Sequence, residues 1–450
     1  MTRWQAYKEQ YRRNLQLSLP IVLSQVGQML TQLADTMMVG RYGGEDPLPL
    51  ASVSFGSSIA FLILIGCIGV ALGLTPLIGE RYVRGEHEES KRLFHNALIF
   101  YTTLGLVVGA FQYCCTPLLY HMGQTPEVVD GAIPYIRMLA YSVPFMMLFF
   151  AFKQFLEGVG NTRAVMTITL IANILNVAFN WVLIYGRYGL PEMGAAGAGL
   201  ATTLSRVLSA AMAWGYFAYR KEYAAYLKGF SLRALAMARV RRLLALGLPI
   251  AGQMFIESSA FVGTGIMIGW LGAVSLSANQ IAITLGNCAF MVILSIGSAS
   301  TIRISHCYGA KNLEELKLAT KATYHLVLGW CVVASLIFIL FRHAIPHLFT
   351  DNEEVIRMTA DMMFLVALYQ LWDGMQNVSI GILRGLQDVK IIMPIAFVAY
   401  WLLNLPAGYL FGITLGWGAP GFFLSYSVGL SAAAVLLMWR IRKRIASLQF

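Results

Sequence analysis

Long apolar stretches recur along almost the whole chain and constrain its fold more than any other feature. A helix needs roughly 20 apolar residues to cross the hydrocarbon core of a bilayer. Because backbone polar groups in lipid must be satisfied within the protein, stretches of this length predict helices. Twelve are predicted as membrane spans, at 15–40, 50–79, 93–119, 131–156, 164–186, 196–219, 243–268, 276–303, 318–341, 357–383, 390–413 and 419–440. The fold class predicted is an all-α membrane protein.

The composition agrees with a lipid environment. Of the 450 residues, 58% are hydrophobic and only 12% are charged, whereas soluble domains contain about 25% charged residues. The chain has too few polar side chains to cover a surface of its size in water. Because twelve spans and their connections use most of the chain, no large soluble domain is expected.

Lys and Arg are distributed unevenly between alternate connections. The two chain ends and the connections after even-numbered spans contain 27 of the 33, whereas the opposite side has only Arg41, Arg187, Arg342 and Arg357. The positive-inside rule therefore predicts that both termini are cytoplasmic. Charges next to spans are typical of contact with anionic headgroups, so membrane lipids and not nucleic acid account for the net charge of +11.

The sequence resembles itself across its midpoint. Matching segments, at offsets of 224 to 229 residues, are 17–21 with 246–250, 155–158 with 382–385, Asn180 with Asn404, and 194–197 with 418–421. These anchors predict two pseudo-symmetric six-helix bundles, 1–219 and 243–450, joined by a cytoplasmic linker at 220–242. Since each half has an even number of spans, both halves share one orientation, as in transporters with parallel repeats. A cleft between two such bundles suits alternating access.

Three carboxylic acids lie deep within predicted spans: Asp35 in the first, Glu257 in the seventh and Asp373 in the tenth. Ionisable groups in lipid are costly and usually mark ion or substrate pathways. A carboxylic acid removed from water holds its proton to higher pH than one in water. These acids are therefore candidates for proton exchange, or for Na⁺ binding where further oxygen ligands are near. The alternative is a structural hydrogen-bonding role.

Polar residues of the fifth and sixth spans are candidate partners of Asp35. Asn176 and Asn180 are four residues apart, which places them on one helix face, and Thr202 lies in the next span. With Asp35 they are candidates for ion or proton coupling. The alternative for each is a hydrogen bond between packed helices.

Substrate contacts are predicted in the second half of the chain. Adaptable apolar walls with cation–π faces suit an organic cation, and polar groups would line the same cavity. The candidate residues are Phe255, Gln280, Asn287, Tyr369, Gln370, Trp372, Asn377 and Tyr400. For the polar ones, helix packing is the alternative.

Motifs of enzymes and of ATP-driven pumps are missing from the sequence. It contains no P-loop, no metal-binding cluster and no nucleophile–base pair in a suitable context. We therefore expect a protein that is not an enzyme, has no organic cofactor and is driven by an ion gradient. No metal is expected beyond Na⁺ at the coupling residues.

Several segments resemble the multidrug and toxic compound extrusion (MATE) family along essentially the whole chain. They are LSLPI at 17–21, DTMMVG at 35–40, LEGVGNTR at 156–163, residues 176–186 and 194–202, LRG at 383–385 and GAPG at 418–421. The resemblance implies twelve helices, a cleft open to one side at a time, and Na⁺- or H⁺-driven export of small organic cations. It also implies a monomer in the inner membrane of a bacterium.

The resemblance also implies two candidate coupling sites. Glu257 and Asp373 resemble the acid pair of the NorM-like branch, which binds its coupling cation in the C-terminal half. Asp35, Asn176, Asn180 and Thr202 match the N-terminal polar site of the family, although some members have aspartate where this chain has Asn180. Both sites stay open, with the C-terminal pair favoured. The competing interpretations are a lipid-linked oligosaccharide flippase, which should have a cationic cavity, and a membrane-embedded enzyme.

Overall fold

The computed structural model describes residues 3–43 and 46–448, and these are almost entirely helical. Twelve long helices follow one another: α1 Arg3–Gly43, α2 Leu48–Val83, α3 His87–Cys114, α4 Pro126–Gly158, α5 Thr162–Ile184, α6 Gly194–Tyr219, α7 Met237–Gly269, α8 Ala273–Gly309, α9 Leu313–Phe341, α10 Glu353–Gly385, α11 Ile392–Thr414 and α12 Gly418–Ala446. Each predicted span coincides with one of them, which confirms the fold class. Four residues at the ends of the predicted bundles (1, 2, 449 and 450) lie outside the described residues.

Ten of these helices are long and apolar enough to cross a membrane by length and composition alone. The other two are α1 and α6. Helix α1 begins with a charged segment that extends beyond its predicted span, and α6 is rich in Gly, Ala, Ser and Thr. Small residues let helix backbones approach closely within a membrane, so α6 is suited to packing against its neighbours.

The third span ends earlier than predicted. Helix α3 stops at Cys114, and residues Thr116–His121 form a 3₁₀ turn. Pro117 lies at the start of this turn. Proline has no backbone N–H to donate and clashes with the preceding turn, so it is unfavourable within an α-helix, and here the helix ends before it. The apolar side chains beyond it gave the predicted span its extra length.

The chain divides into two compact units. The N-unit comprises residues 23–251, and the C-unit comprises the chain up to Val22 together with the chain from Gly252 onwards. The dividing points fall two residues after Pro20 in α1 and Pro249 in α7, which are corresponding prolines of the internal repeat. The bundle bounds 1–219 and 243–450 stay a prediction.

Helix α4 is central to the N-unit, where it packs against α2, α3 and α6. The backbones of α4 and α2 approach each other closely at Gly158. A Cβ atom added to this glycine would lie 2.8 Å from Ile78 and 3.0 Å from the Thr75 carbonyl. The Thr75 hydroxyl donates to the carbonyl of Gln154 at 3.3 Å. These contacts join the cytoplasm-proximal end of α2 to α4 in the predicted topology.

Helix α10 has the corresponding place in the C-unit, packing against α8, α9 and α12. A side chain at Gly385 would meet Ile304 at 2.7 Å and the Thr301 carbonyl at 2.9 Å. The Thr301 hydroxyl donates to the carbonyl of Gly381 at 3.0 Å. Each of these contacts has its counterpart in the N-unit at nearly the same offset, so the two units are pseudo-symmetric in packing detail.

The segment predicted as a linker is partly helical. A short helix spans Lys221–Leu227, and α7 already begins at Met237. Tyr226 joins the short helix to α3, because its hydroxyl is 2.9 Å from Nδ1 of His87 and its carbonyl is 2.6 Å from Nε2 of His95. Burial raises the pKa of Tyr226 to about 12, so its hydroxyl keeps its proton at physiological pH.

Candidate functional site

Glu257 lies midway along α7 and receives a hydrogen bond at each carboxylate oxygen. The Nε2 group of Gln253, one helical turn earlier, donates to Oε2. The hydroxyl of Tyr400, from α11, donates to Oε1 at 2.9 Å. Glu257 is half-buried, whereas Gln253 and Tyr400 are buried. The carboxylate is therefore held between α7 and α11 in a fixed orientation.

Two further side chains from α10 support these donors. Arg384 donates from Nη2 to the side-chain carbonyl of Gln253 at 3.1 Å. The Nε2 group of Gln376 lies 2.7 Å from the hydroxyl oxygen of Tyr400. Glu257 is thus the centre of a network that runs from Arg384 through Gln253 on one side and from Gln376 through Tyr400 on the other.

Tyr400 is positioned by an irregular stretch of α11. Residues Phe397–Asn404 form a π-helix, and a second π stretch covers Leu410–Thr414. Such segments are rare and frequently occur at functional sites, because the wider turn changes the direction of side chains. Here the wider turn presents the Tyr400 hydroxyl to Glu257, while its ring lies 6.1 Å from that of Phe261.

Asp373 is the second acid of this region and lies in the middle of α10. It is close enough to Glu257 for the two charges to repel each other. The hydroxyl groups of Tyr369 and Tyr400 also lie within its electrostatic reach. The two acids therefore share one polar site, and a cation that enters it would offset their mutual repulsion.

The N-unit holds a smaller polar cluster around Asp35. Asn180 donates from Nδ2 to a carboxylate oxygen of Asp35 and lies 3.2 Å from the side-chain oxygen of Asn176. Both asparagines are buried. Their spacing of four residues places them on one face of α5, as predicted. The remaining oxygen of Asn180, Oδ1, has no hydrogen-bond partner among the described residues.

Among the described residues, Thr202 forms no hydrogen bond with Asp35, Asn176 or Asn180. Its hydroxyl donates instead to the carbonyl of Ala198, one turn earlier in α6, at 3.1 Å. Tyr135 of α4 does lie within electrostatic reach of Asp35. Arg206 points elsewhere, donating to the Ser142 hydroxyl at 2.7 Å. The coupling role of Thr202 stays a prediction.

The predicted substrate residues are dispersed in the C-unit. Tyr369 and Tyr400 lie at the acid pair. Asn377 lies where α8 packs against α10, so close to Gly297 that a Cβ atom added to this glycine would be only 2.7 Å from the Asn377 Oδ1 atom. Gln370 is buried with neither amide atom bonded among the described residues. The others are half-buried or exposed: Phe255, Gln280, Asn287 and Trp372. Their contact with a substrate stays a prediction.

Sequence reasoning missed three members of the network. Gln253 precedes Glu257 by four residues and Gln376 follows Asp373 by three, so helix periodicity alone places each pair on one face. From the sequence, Arg384 is a charge next to a predicted span and a member of the LRG segment at 383–385, and neither feature predicts its contact with Gln253. The helical spacing was the signal that would have found the two glutamines.

The model of the MatE family matches residues 20–182 and, a second time, residues 249–410. The two matches begin 229 residues apart, which is the offset of the internal repeat. The chain belongs to the MatE family. The predicted family resemblance is therefore confirmed, and this MatE protein is a multi-pass membrane protein of the transporter class.

Similar proteins cover nearly the whole MatE chain. "Multidrug resistance protein NorM" of Photobacterium profundum is 32% identical over 97% of this chain and 96% of its own. "Multidrug resistance protein MdtK" of Edwardsiella ictaluri is 29% identical over 97% and 96%. A mutant of the Vibrio cholerae MATE transporter VcmN has the same fold, with a TM-score of 0.90 at 17% identity over 99% of both chains. A MOP superfamily transporter from Pyrococcus furiosus gives a TM-score of 0.87 at 20% identity over 97% and 96%.

Proposed function

We propose that this MatE protein is an antiporter that exports small organic cations, including drugs, in exchange for Na⁺ or H⁺. The proposal places it in the inner membrane of a bacterium, as a monomer with both termini in the cytoplasm. The observation that supports it most directly is the pair formed by Glu257 and Asp373, two acids that act on each other within one polar site of the C-unit.

Two like charges in a medium of low dielectric constant disfavour joint ionisation. A proton, Na⁺ or an organic cation each offsets the repulsion, so these ligands compete for the site. Each can shift an equilibrium between two transporter states only by binding one state more tightly than the other. Competition between coupling ion and substrate at Glu257 and Asp373, combined with alternating access, couples their movements in opposite directions in this proposal.

Drugs as substrates are proposed from the relatives, which are named as multidrug resistance proteins. The chemistry of the site agrees with cationic compounds. Asp373 and Glu257 supply negative charge, and aromatic rings stand nearby, those of Tyr369 and Tyr426 being 5.7 Å apart. Aromatic faces and carboxylates together suit an organic cation. No catalytic step and no organic cofactor belong to this mechanism.

The flippase alternative is less well supported. A lipid pyrophosphate is an anion and needs a cationic cavity, whereas both candidate sites contain carboxylic acids, which repel an anion when they are ionised. Arg206 and Arg384 each have a partner within the protein, since Arg206 donates to Ser142 and Arg384 to Gln253. These two guanidinium groups are not arranged together as an anion site.

Efflux from proteoliposomes tests the proposal. The purified full-length protein is reconstituted, and the movement of a fluorescent organic cation is followed under an imposed Na⁺ gradient and, separately, an imposed pH gradient. We expect one gradient to drive transport against the substrate gradient, with the coupling ion moving the opposite way. Transport that follows neither gradient would exclude antiport, and movement of a lipid-linked sugar with no movement of organic cations would favour the flippase.

A further inference from the structure

The connection between α6 and α7 is held on α3 at two points. Near its start, the Tyr226 carbonyl lies 2.6 Å from Nε2 of His95. Near its end, the backbone N–H of Ala236 donates to the side-chain oxygen of Asn96, also at 2.6 Å. Residues 227–235, which we call the linker loop, are therefore held against α3 at both of their ends.

The linker loop lies at the level where α3 enters the membrane. His95 and Asn96 are at the start of the predicted span 93–119. Just after the loop, Arg239 donates from Nε and Nη2 to the two carboxylate oxygens of Glu89, each at 3.1 Å. Because Glu89 is in the first turn of α3, the loop lies beside the first turns of this helix, where it passes from the headgroups into the hydrocarbon.

The face of α3 that carries the loop continues as an exposed apolar surface. His95 and Asn96 precede Leu106 and Val107 by 11 residues, about three turns of an α-helix, so the two pairs share one face. Leu106 is 58% exposed and Val107 is 62% exposed, and only 33% of the most apolar part of α3 is buried. Exposed apolar side chains on a spanning helix are suited to contact with lipid. The linker loop therefore lies at the end of the lipid-facing side of α3.

The second half of the chain leaves the matching helix face uncovered. At an offset of 226 residues, within the range of the repeat anchors, the positions that match His95, Leu106 and Val107 lie on α9. The residues there, all exposed, are Lys321, Val332 and Val333. His95 itself is only 4% exposed, because the linker loop covers it. The loop thus occupies a place on α3 where the corresponding helix meets its surroundings.

The linker loop and the start of α7 expose a group of large apolar side chains. Leu232 is 72% exposed, Leu235 44% and Met237 60%. Single exposed apolar residues are normal on a protein surface, whereas neighbouring ones mark contact with a membrane or a partner. Because these three lie within six residues of one another, beside the lipid-facing side of α3, the membrane is the partner that this position favours.

The same segment is strongly basic. Residues 220–242 contain seven Lys and Arg against one acid, Glu222. Lys228, Arg233 and Arg241 are exposed, and within the part of the chain that the structure describes the ion pair of this segment is the one made by Arg239. Clusters of about four to eight Lys and Arg next to a membrane span are typical of binding to anionic phospholipids. The charge of the segment therefore complements an anionic leaflet.

We propose that the linker loop and the start of α7 form a binding surface for the anionic phospholipids of the cytoplasmic leaflet, which we call the lipid surface. Its members are Lys228, Leu232, Arg233, Leu235, Met237 and Arg241. The apolar side chains enter the boundary between headgroups and acyl chains, and the basic ones bind lipid phosphate groups. The inference goes beyond the proposed function, because it concerns neither the transported compound nor the coupling ion.

Quenching of a fluorescent label by lipid tests the lipid surface directly. In the full-length chain, the cysteines that are not buried are replaced by serine (Cys114, Cys115 and Cys288). A nitrobenzoxadiazole label is attached at Leu232→Cys, and the protein is reconstituted into vesicles of phosphatidylcholine with increasing fractions of phosphatidylglycerol. The quencher is a phosphatidylcholine that carries a nitroxide high in its acyl chain.

The label at Leu232→Cys should be quenched more strongly as the fraction of phosphatidylglycerol rises. The control site is Glu88→Cys, in the first turn of α3, where the native side chain is 78% exposed. A label at the lipid surface lies among the acyl chains, whereas one at Glu88→Cys lies in water. We therefore expect at least about twofold stronger quenching at Leu232→Cys in the vesicles that contain phosphatidylglycerol.

Removing the positive charges should remove the response to phosphatidylglycerol. Each Lys or Arg near an anionic surface strengthens the attraction by about fivefold. In the labelled chain with Lys228→Gln, Arg233→Gln and Arg241→Gln, quenching should stay at the value found in phosphatidylcholine alone. The matched control makes the same change in net charge at exposed sites on the same predicted side of the membrane, and it should respond as the unsubstituted chain does. It combines Arg12→Gln, Lys321→Gln and Arg442→Gln.

The proposal is overturned if quenching does not depend on the fraction of phosphatidylglycerol, if Leu232→Cys and Glu88→Cys are quenched equally, or if the two triple variants behave alike. A label that is shielded from water but not quenched would overturn it in favour of a protein partner. Gradient-driven efflux measured on the same preparations separates this inference from the proposed function. Quenching as expected in a protein without antiport would support the lipid surface and contradict the antiporter.

Discussion

Asn180 and Asn404 occupy corresponding positions in the two halves of the chain, yet only Asn180 hydrogen-bonds a carboxylate. Asn180 donates to Asp35, whereas Asn404 accepts a hydrogen bond from the Ser425 hydroxyl at 2.9 Å. The position that matches Asp35 is Thr264, whose hydroxyl donates to the carbonyl of Ala260 at 3.0 Å. The two candidate coupling sites are therefore not symmetry mates. Glu257 lies about two helical turns before the position that corresponds to Asp35.

Replacing Asp35 by Asn keeps the size of the side chain and removes its charge. Because the Asn180 amide would then face a neutral group, the cluster can no longer hold a cation or exchange a proton. We expect normal expression and drug efflux reduced at least about tenfold, the effect of a lost charged contact of roughly 1.5–3 kcal/mol. Asp361→Asn, the same substitution at an exposed site on α10, is the control. Undiminished efflux by well-expressed Asp35→Asn protein would remove Asp35 from the mechanism.

Tyr400→Phe removes one donor to Glu257 while keeping the aromatic ring in place. A hydrogen bond to a charged group contributes roughly 1.5–3 kcal/mol. We therefore expect the coupling-ion concentration for half-maximal efflux to change by about tenfold or more, with little change in folding. Tyr409→Phe is a matched control, since Tyr409 lies on the same helix and is 51% exposed. Equal ion dependence in the two variants would exclude Tyr400 from the coupling site.

Glu315→Gln is predicted to destabilise the C-unit without touching either acid site. Glu315 accepts from Arg303 at 3.1 Å and from Arg13 at 2.9 Å, and Arg303 is buried. Breaking an ion pair that includes a buried charge is more costly than breaking an exposed one. The melting temperature in detergent should fall by several degrees. Glu314→Gln, at a side chain that is 83% exposed, should leave it unchanged, and equal melting temperatures for both variants would contradict the prediction.

Cysteine labelling tests the orientation predicted from the charges. In a chain whose exposed Cys114 and Cys288 are replaced by serine, Leu348→Cys should react with a membrane-impermeant maleimide in intact cells. Leu348 is 82% exposed and lies in the connection predicted to face outward. Phe230→Cys, in the basic segment, should react only after the membrane is permeabilised. Labelling of Phe230→Cys in intact cells would refute cytoplasmic termini.

The helices were predictable because lipid leaves few choices to the chain. An apolar stretch of sufficient length in lipid forms a helix, so most spans could be placed from hydropathy. Two of the predicted spans, in α1 and α6, lie in helices that do not qualify by length and composition alone. The ends were less predictable. The helices continue beyond the apolar stretches, as at the start of α1 and of α7, and α3 stops before Pro117 although the residues beyond it are apolar. Hydropathy indicates whether a residue lies in an apolar environment or in water, but it does not indicate where the helical backbone conformation ends.

The acids were also predictable, since a carboxylate in lipid is rare, but their partners were not. Helical spacing places Gln253 on the face of Glu257 and Gln376 on the face of Asp373, but spacing alone does not show which of these polar groups form hydrogen bonds. Arg384 looked like one more charge at a span end, and only its contact with Gln253 distinguishes it from Arg357 on the same helix. Residue type and helical spacing do not show which polar residues meet across helices. Thr202, predicted as a partner of Asp35, shares no hydrogen bond with it in the described residues and donates to the Ala198 carbonyl instead.

The acid pair itself can be tested by a double-mutant cycle on Glu257→Gln, Asp373→Asn and both together, using gradient-driven efflux. If the two carboxylates hold one cation between them, either single variant already lacks the site. The double variant should then be little worse than the worse single one, because residues that act as a unit are not additive. Losses that multiply would mean that the two acids have separate tasks. Coupling retained in the double variant would move the ion site to Asp35 in the N-unit, where Asp35→Asn added to the double variant should abolish it.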